Sequence, residues 1–134
     1  MTGPSTQTHV LILDDEPAIA RAIVNYLTRY GYRVSAVLSA ESGMSIIRNE
    51  HVDAMIVDFR LSESRGDMFF ELAAAIQPHL RGRTLFTTGD ITERAQELIE
   101  ACRCPLMRKP FALEDLRDWV QTVEPERGME NQSA

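Results

Sequence analysis

Three aspartates and one lysine are the residues of this chain whose types and positions suit shared chemistry. Asp14 and Asp15 follow the apolar run Val10-Leu11-Ile12-Leu13, and Asp58 closes the run Ala54-Met55-Ile56-Val57. Continuous apolar runs of this length read as strands buried on both faces, as in a parallel sheet. An acid at the end of such a strand sits at the sheet's carboxyl edge, where open α/β folds bind ligands. Neighbouring strands would bring the three carboxylates to one mouth. Carboxylates that close resist joint ionisation unless a cation stands among them. Lys109 and a divalent metal are the candidates for that cation.

The elements that must position these groups can be read from pattern. A first strand covers His9 to Asp14. Pro17 suits the first turn of a helix, and the run Asp14-Asp15-Glu16 suits the positive end of its dipole. Ile19, Ala22, Ile23, Tyr26, Leu27 and Tyr30 share one arc of that helix, and Gly31 stands where a helix-ending glycine is favoured. Strand two is Tyr32 to Val37. Ser39 then caps a second helix that turns Ala40, Met44 and Ile47 inward. Strand three covers Val52 to Asp58, and a polar loop runs from Phe59 to Gly66. Helix three covers Asp67 to Ile76, and Pro78 ends it. Strand four is Thr84 to Thr87, with Thr88-Gly89-Asp90 as its exit loop. Asp90 and Glu93 read as a capping box for helix four, which ends near Ala101. Strand five is Pro105 to Met107. Leu113, Leu116, Trp119, Val120 and Val123 share one arc of helix five, which makes Trp119 a core or rim residue. Five strands alternating with five helices predict one parallel sheet with right-handed crossovers and helices on both faces.

The totals bound the functions available. A chain of 134 residues suits one domain, and 44% apolar residues suffice for a core. Residues 1–8 read as a loose lead-in, 9–124 as the domain and 125–134 as a polar tail. A net charge of −6, from 14 basic and 20 acidic residues, argues against direct nucleic-acid binding. No apolar run approaches the ~20 residues of a membrane helix, and the first residues lack the pattern of a signal peptide. A cytoplasmic protein that meets other proteins is expected. Cys102 and Cys104 read as small loop or core thiols rather than a disulfide or a zinc site. His9, His51 and His79 have no ligand-like spacing.

Taken in order, these strand ends resemble a response-regulator receiver domain of two-component signalling, over about His9 to Val123. The matching residues are Asp14-Asp15, Asp58, Gly66 eight residues later, Thr88-Gly89, and Lys109-Pro110-Phe111. The resemblance implies a flavodoxin-like sheet in strand order 2-1-3-4-5. It implies that Asp58 accepts a phosphoryl group from a sensor histidine kinase or a histidine phosphotransfer protein. Mg²⁺ (or Mn²⁺) would be held by Asp14, Asp15, Asp58 and the backbone carbonyl of Arg60. Thr88, Gly89 and Lys109 would stabilise the phosphoryl oxygens, with Thr87 a rival to Thr88. A cis Lys109–Pro110 bond is implied, as is a downstream partner that reads the face of helix four, strand five and helix five; a homodimer is compatible with this. The chemistry suits the residues, because a carboxylate can form an aspartyl phosphate and phosphoryl transfer needs chiefly positioning and charge stabilisation.

Two positions depart from the family pattern. Ser62 stands where proline is usual, which frees the backbone and restores an N–H. Leu106 stands where the family has a tyrosine or phenylalanine that moves as the threonine swings toward the phosphate, so switching would be weaker or routed otherwise. Leu106 and Ile91 would leave an apolar spot on that face. Arg60 and Asp90 flank the expected phosphoryl position, and an ion pair between them would restrict the attacking water and lengthen the phosphorylated state. The chain would be a single-domain regulator, a phosphorelay shuttle or the receiver of a longer protein such as a hybrid kinase. The competing readings are an aspartyl-nucleophile phosphatase of the haloacid-dehalogenase type, with Glu16 two residues after Asp14, and a docking scaffold that ignores phosphate.

Overall fold

The computed structural model describes residues 7–89 and 92–125. The strands are β1 (His9–Leu13), β2 (Arg33–Val37), β3 (Ala54–Asp58), β4 (Thr84–Thr88) and β5 (Leu106–Arg108). They alternate with α1 (Pro17–Arg29), α2 (Ala40–Asn49), α3 (Gly66–Ile76), α4 (Glu93–Cys102) and α5 (Leu113–Val123). A 3₁₀ turn at Pro78–Gly82 joins α3 to β4. All strand pairs are parallel, and the order is β2-β1-β3-β4-β5. This is the flavodoxin-like arrangement that the resemblance implies.

The apolar runs form strands because side chains alternate between faces and both faces are covered. Leu11, Leu13, Met55, Val57 and Phe86 join the core against α2, α3 and α4. Val10, Ile12, Ile56 and Leu85 pack with Ile23, Leu27, Leu116 and Val120 of α1 and α5. Trp119 is partly buried against this second core, the rim role its place on the helical arc predicts. Among the described residues, no helix is long and apolar enough to cross a membrane.

Several boundaries differ by a residue or two from the pattern reading, as expected at element ends. Asp14 lies just past β1, Tyr32 just before β2, and Thr88 inside β4 rather than in its exit loop. Strand β3 starts at Ala54 and β5 is shifted to Leu106–Arg108. Gly31 follows the end of α1 with φ of 90°, a conformation that favours glycine. Gln7 and Thr8 of the lead-in are pinned. The Gln7 amide donates to the Gly31 carbonyl, and the Thr8 carbonyl accepts the Arg33 N–H at 3.0 Å. The cap of α4 is Thr92, whose hydroxyl accepts the Ala95 N–H at 3.2 Å. Asp90, the capping residue read from sequence, lies outside the described residues, as does Ile91.

Candidate functional site

Register brings the acids together. Leu13 pairs with Val57, so the next residues, Asp14 and Asp58, emerge side by side at the carboxyl edge. Asp58 also pairs with Thr87, and Thr88 pairs with Arg108, which sets Lys109 just above. The Lys109 backbone N–H donates to the Thr88 carbonyl at 2.9 Å and fixes where its side chain starts. The Lys109–Pro110 peptide bond is cis.

Lys109 Nζ lies 3.0 Å from Asp58 Oδ2, 3.2 Å from Asp14 Oδ2 and 3.2 Å from Glu16 Oε1. Asp14 and Asp58 are almost wholly buried, with side chains 3% and 5% exposed. Burial pushes the Asp58 carboxyl up to about 6, and the charge on Asp14 adds to this. Hydrogen bonds from Lys109 and from the Arg60 backbone N–H oppose the rise. Burial likewise raises Asp14, against the Glu16 backbone N–H, which donates to Asp14 Oδ1 at 2.9 Å, and against Lys109. Burial disfavours the Lys109 ammonium, but the facing carboxylates outweigh it and hold the lysine charged. The buried acids therefore need a cation, and Lys109 supplies one.

From the sequence Glu16 is a helix-start acid, or the second acid of the competing phosphatase reading, and not a partner of Lys109; no side-chain hydrogen bond from it caps α1. Instead its carboxylate reaches Lys109 and, with Asp14 and Asp58, forms a trio of oxygens within 4.8 Å of one another. The signal was present, because Pro17 at the first helical turn leaves Glu16 extended (φ −98°, ψ 105°) at the mouth.

Asp15 lines the same mouth with Glu16, Asp58, Arg60, Gly89 and Lys109, around a cleft of about 440 Å³. Its carboxylate is not one of the trio and accepts a hydrogen bond from the Ser62 hydroxyl. Thr88 is buried at the end of β4 beside the cleft, and Thr87 is equally buried. Arg60 is exposed and forms a backbone bridge with Arg65. Its expected partner Asp90 lies outside the described residues. Leu106 is half-buried against the core on the α3 and α4 side.

Gly66 explains its own place in the pattern. A Cβ there would lie 2.5 Å from the Asp58 carbonyl oxygen and 3.0 Å from Phe59 Cα. Its N–H donates to the Phe59 carbonyl at 2.6 Å. The start of α3 is thus clamped on the backbone that carries Asp58.

Residues 10–121 match the family described as the response regulator receiver domain. The chain belongs to the response-regulator receiver family. The regulatory protein VirG of Rhizobium rhizogenes is 26% identical over 121 residues, covering 89% of this chain and 49% of VirG. The TorCAD operon transcriptional regulatory protein TorR of Escherichia coli (strain K12) is 33% identical over 110 residues, 81% of this chain and 46% of TorR. The chain thus spans about half the length of these relatives. A CheY-like receiver domain protein from Methanospirillum hungatei superposes with a TM-score of 0.81 at 23% identity, covering 87% of this chain and 93% of that one. A Burkholderia pseudomallei response regulator, solved with a phosphorylated aspartic acid, calcium ion and citrate, gives 0.76 at 20% identity, covering 95% and 72%. This receiver has an acidic cluster able to hold a metal ion, and its fold is that of signalling proteins.

The grouped donors are all carboxylate oxygens, which fits a hard divalent cation. Asp14, Glu16 and Asp58 are grouped for it, and Asp15 is within the same mouth.

Proposed function

We propose that this receiver is a phosphorylation switch whose acceptor is Asp58. A phosphohistidine of a sensor kinase or of a histidine phosphotransfer protein is the donor. An Asp58 carboxylate oxygen attacks phosphorus as the P–N bond breaks, and the imidazole nitrogen keeps the bonding pair. Lys109 balances the charge on the acceptor before transfer and on a phosphoryl oxygen after it. Thr88 and the Gly89 N–H are assigned to the remaining oxygens, and Asp14, Asp15, Asp58 and the Arg60 carbonyl, joined by Glu16, to Mg²⁺ or Mn²⁺. Bound metal would offset the negative charge of the incoming phosphoryl group.

One observation carries the reading: a single ammonium within 3.0–3.2 Å of three carboxylates, two of them buried, at the end of an acceptor strand. A groove of about 460 Å³ lined by Ile19, Ala22, Pro110, Phe111 and Leu113 opens beside Glu16 and Lys109 and offers the donor an apolar seat. The output is a changed protein-binding surface on α4, β5 and α5, tuned by Leu106 and, through hydrolysis, by Arg60 and Asp90. The setting is cytoplasmic. The chain serves as a stand-alone regulator, a phosphorelay shuttle or the receiver of a longer protein such as a hybrid kinase.

The test is incubation with Mg²⁺ and acetyl phosphate, followed by intact mass and peptide mapping. One added phosphoryl on Asp58 is expected, absent in Asp58→Asn and without metal. Labelling that persists in Asp58→Asn refutes the assignment, and label on Asp14 turns the reading toward an aspartyl phosphatase. Onward transfer to a histidine-containing protein distinguishes a relay member from a terminal switch.

A further inference from the structure

We propose that His51 and His79 form a binding site for one transition-metal ion of the Zn²⁺ class at the amino edge of the sheet. The two imidazoles come from different segments, His51 between α2 and β3 and His79 in the 3₁₀ turn between α3 and β4. They stack with centroids 4.8 Å apart and planes 21° apart. The hydrogen bonds around them fix which nitrogens are left over. His79 Nε2 lies 2.7 Å from the Val52 carbonyl oxygen, and His51 Nε2 lies 3.0 Å from Asp53 Oδ1. A carbonyl or carboxylate oxygen can only accept, so each Nε2 carries the proton. In each neutral ring the lone pair is then on Nδ1, which no hydrogen bond engages among the described residues. Metal-binding histidines are normally built this way. The second ring N–H goes to a carboxylate or a backbone carbonyl, which orients the ring and makes its other nitrogen a better donor. Here the carboxylate is Asp53, only 1% exposed.

The backbone that carries both rings is tied together. Gln77 Nε2 donates to the Ile47 and Glu50 carbonyls at 2.9 and 2.7 Å, and Gln77 Oε1 accepts the Val52 N–H at 3.0 Å. These three bonds hold the end of α3 against the loop that carries His51. His9 Nδ1 donates to the His51 carbonyl at 2.9 Å, and the Ser35 hydroxyl donates to His9 Nε2 at 2.8 Å. His9 thus braces the site and has no nitrogen to give it. Two Zn–N bonds of ~2.0 Å at a tetrahedral angle set their nitrogens about 3.3 Å apart. The rings must lean together from their stacked spacing, and His51, 63% exposed, has room to do so. Water fills the remaining positions. The donors select the ion, because neutral imidazole suits Zn²⁺, Cu²⁺ and Ni²⁺ while Mg²⁺ prefers oxygen. An ion held here bridges the segment that enters β3 to the turn that enters β4, and so stabilises the folded chain. Nothing in this site depends on phosphorylation of Asp58.

The experiment is a Zn²⁺ titration of the tag-free full chain with Mg²⁺ saturating, at about pH 7.5, where ordinary imidazole is largely neutral. Calorimetry reads the binding, and long-range ¹H–¹⁵N spectra read each ring nitrogen. Before Zn²⁺ is added, His51 and His79 should appear as Nε2–H tautomers. One equivalent of Zn²⁺ should shift the Nδ1 signals of both and leave the His9 signals in place. His51→Ala and His79→Ala should each weaken this binding roughly tenfold or more, with circular dichroism showing both folded. Each should also remove the rise in Tm that Zn²⁺ gives the wild type. Asp58→Asn and Cys102→Ser should bind as wild type does, which separates this site from the acidic mouth and from the thiols. Zn²⁺ that leaves the His51 and His79 nitrogens unmoved, that binds the alanine variants as it binds wild type, or that is lost with Asp58→Asn overturns the proposal. A shift confined to one of the two histidines overturns the paired site.

Discussion

Replacing Asp58 with asparagine should make this protein more stable while abolishing its proposed chemistry. The Asp58 carboxyl rises from 3.8 to about 6, chiefly through burial and then through the Asp14 charge, with Lys109 only partly compensating. One pKa unit is worth 1.36 kcal/mol, so the ionised side chain costs the folded state about 3 kcal/mol at neutral pH. The sign follows from proton binding. Between about 4 and about 6 the folded protein holds the Asp58 proton more tightly than the unfolded chain, so stability falls as pH rises through that window. Asparagine removes the charge and keeps the shape. Solvent at the open mouth trims the effect, so a gain of ~1–3 kcal/mol is expected at pH 7.5, or roughly 3–10 °C in Tm. Urea unfolding of both proteins between about pH 4 and pH 8 is the assay. The difference should shrink as pH falls through the window and be nearly gone at its lower end. Saturating Mg²⁺ should narrow it from the other side, by stabilising wild type more than the variant. A variant less stable than wild type at pH 7.5, or a difference independent of pH, would refute the claim that the acceptor is held at an electrostatic cost.

Three further outcomes follow. Gly66→Ala should destabilise by ~1–3 kcal/mol, because its Cβ meets the Asp58 carbonyl oxygen at 2.5 Å; Gly82→Ala, with nothing within 4 Å, should be tolerated, and thermal unfolding compares them. Ser62→Ala should tighten Mg²⁺ binding by roughly fivefold in calorimetric titration, since it frees Asp15 of a hydrogen bond worth about 1 kcal/mol; unchanged or weaker binding would show that Ser62 does not compete with the metal. Labelling by acetyl phosphate at limiting Mg²⁺ should decline as the pH is lowered and Asp58 takes up its proton, and saturating Mg²⁺ should move that decline to lower pH because the cation favours the carboxylate. Lys109→Gln should move that decline to higher pH, because the ammonium is what holds the carboxyl down.

The fold was legible because the strands are buried on both faces. Val10 to Leu13 and Ala54 to Val57 read as unbroken apolar runs for the same reason that they are 0–1% exposed. The acids were legible as the residues that stop those runs. What stayed hidden depends on contacts between elements. Glu16 could be read as a helix-start acid, and only the placing of Lys109 beside Asp58 shows where its carboxylate goes. The Asp90–Glu93 pattern imitated a capping box, whereas Thr92 makes the cap without a glutamate three residues on. The three histidines had no sequence spacing to link them, yet the topology gathers them at the sheet's amino edge. There the buried Asp53 accepts the His9 N–H at 2.8 Å and lies 3.0 Å from the His51 ring, which stacks on His79 with centroids 4.8 Å apart.

The two ends of the acceptor strand's surroundings divide the work of holding and responding. On one side Asp58 is fixed by pairing with β4 and by Gly66, whose Cα leaves no room for even a methyl group against the Asp58 carbonyl. That backbone has little freedom to answer a change in charge. On the other side the counter-charge is a long lysine side chain, and its own backbone hangs on the Thr88 carbonyl at the junction of β4 and β5. A second negative charge on Asp58 would therefore be met first by Lys109 and Thr88, and the strain would pass along β4 and β5 rather than into α3. Leu106 sits in β5 opposite Phe86 on that route. If Leu106 takes part in switching as proposed, it has no aromatic ring to swing, and its repacking against Phe86 would be expected to shift β5 only slightly.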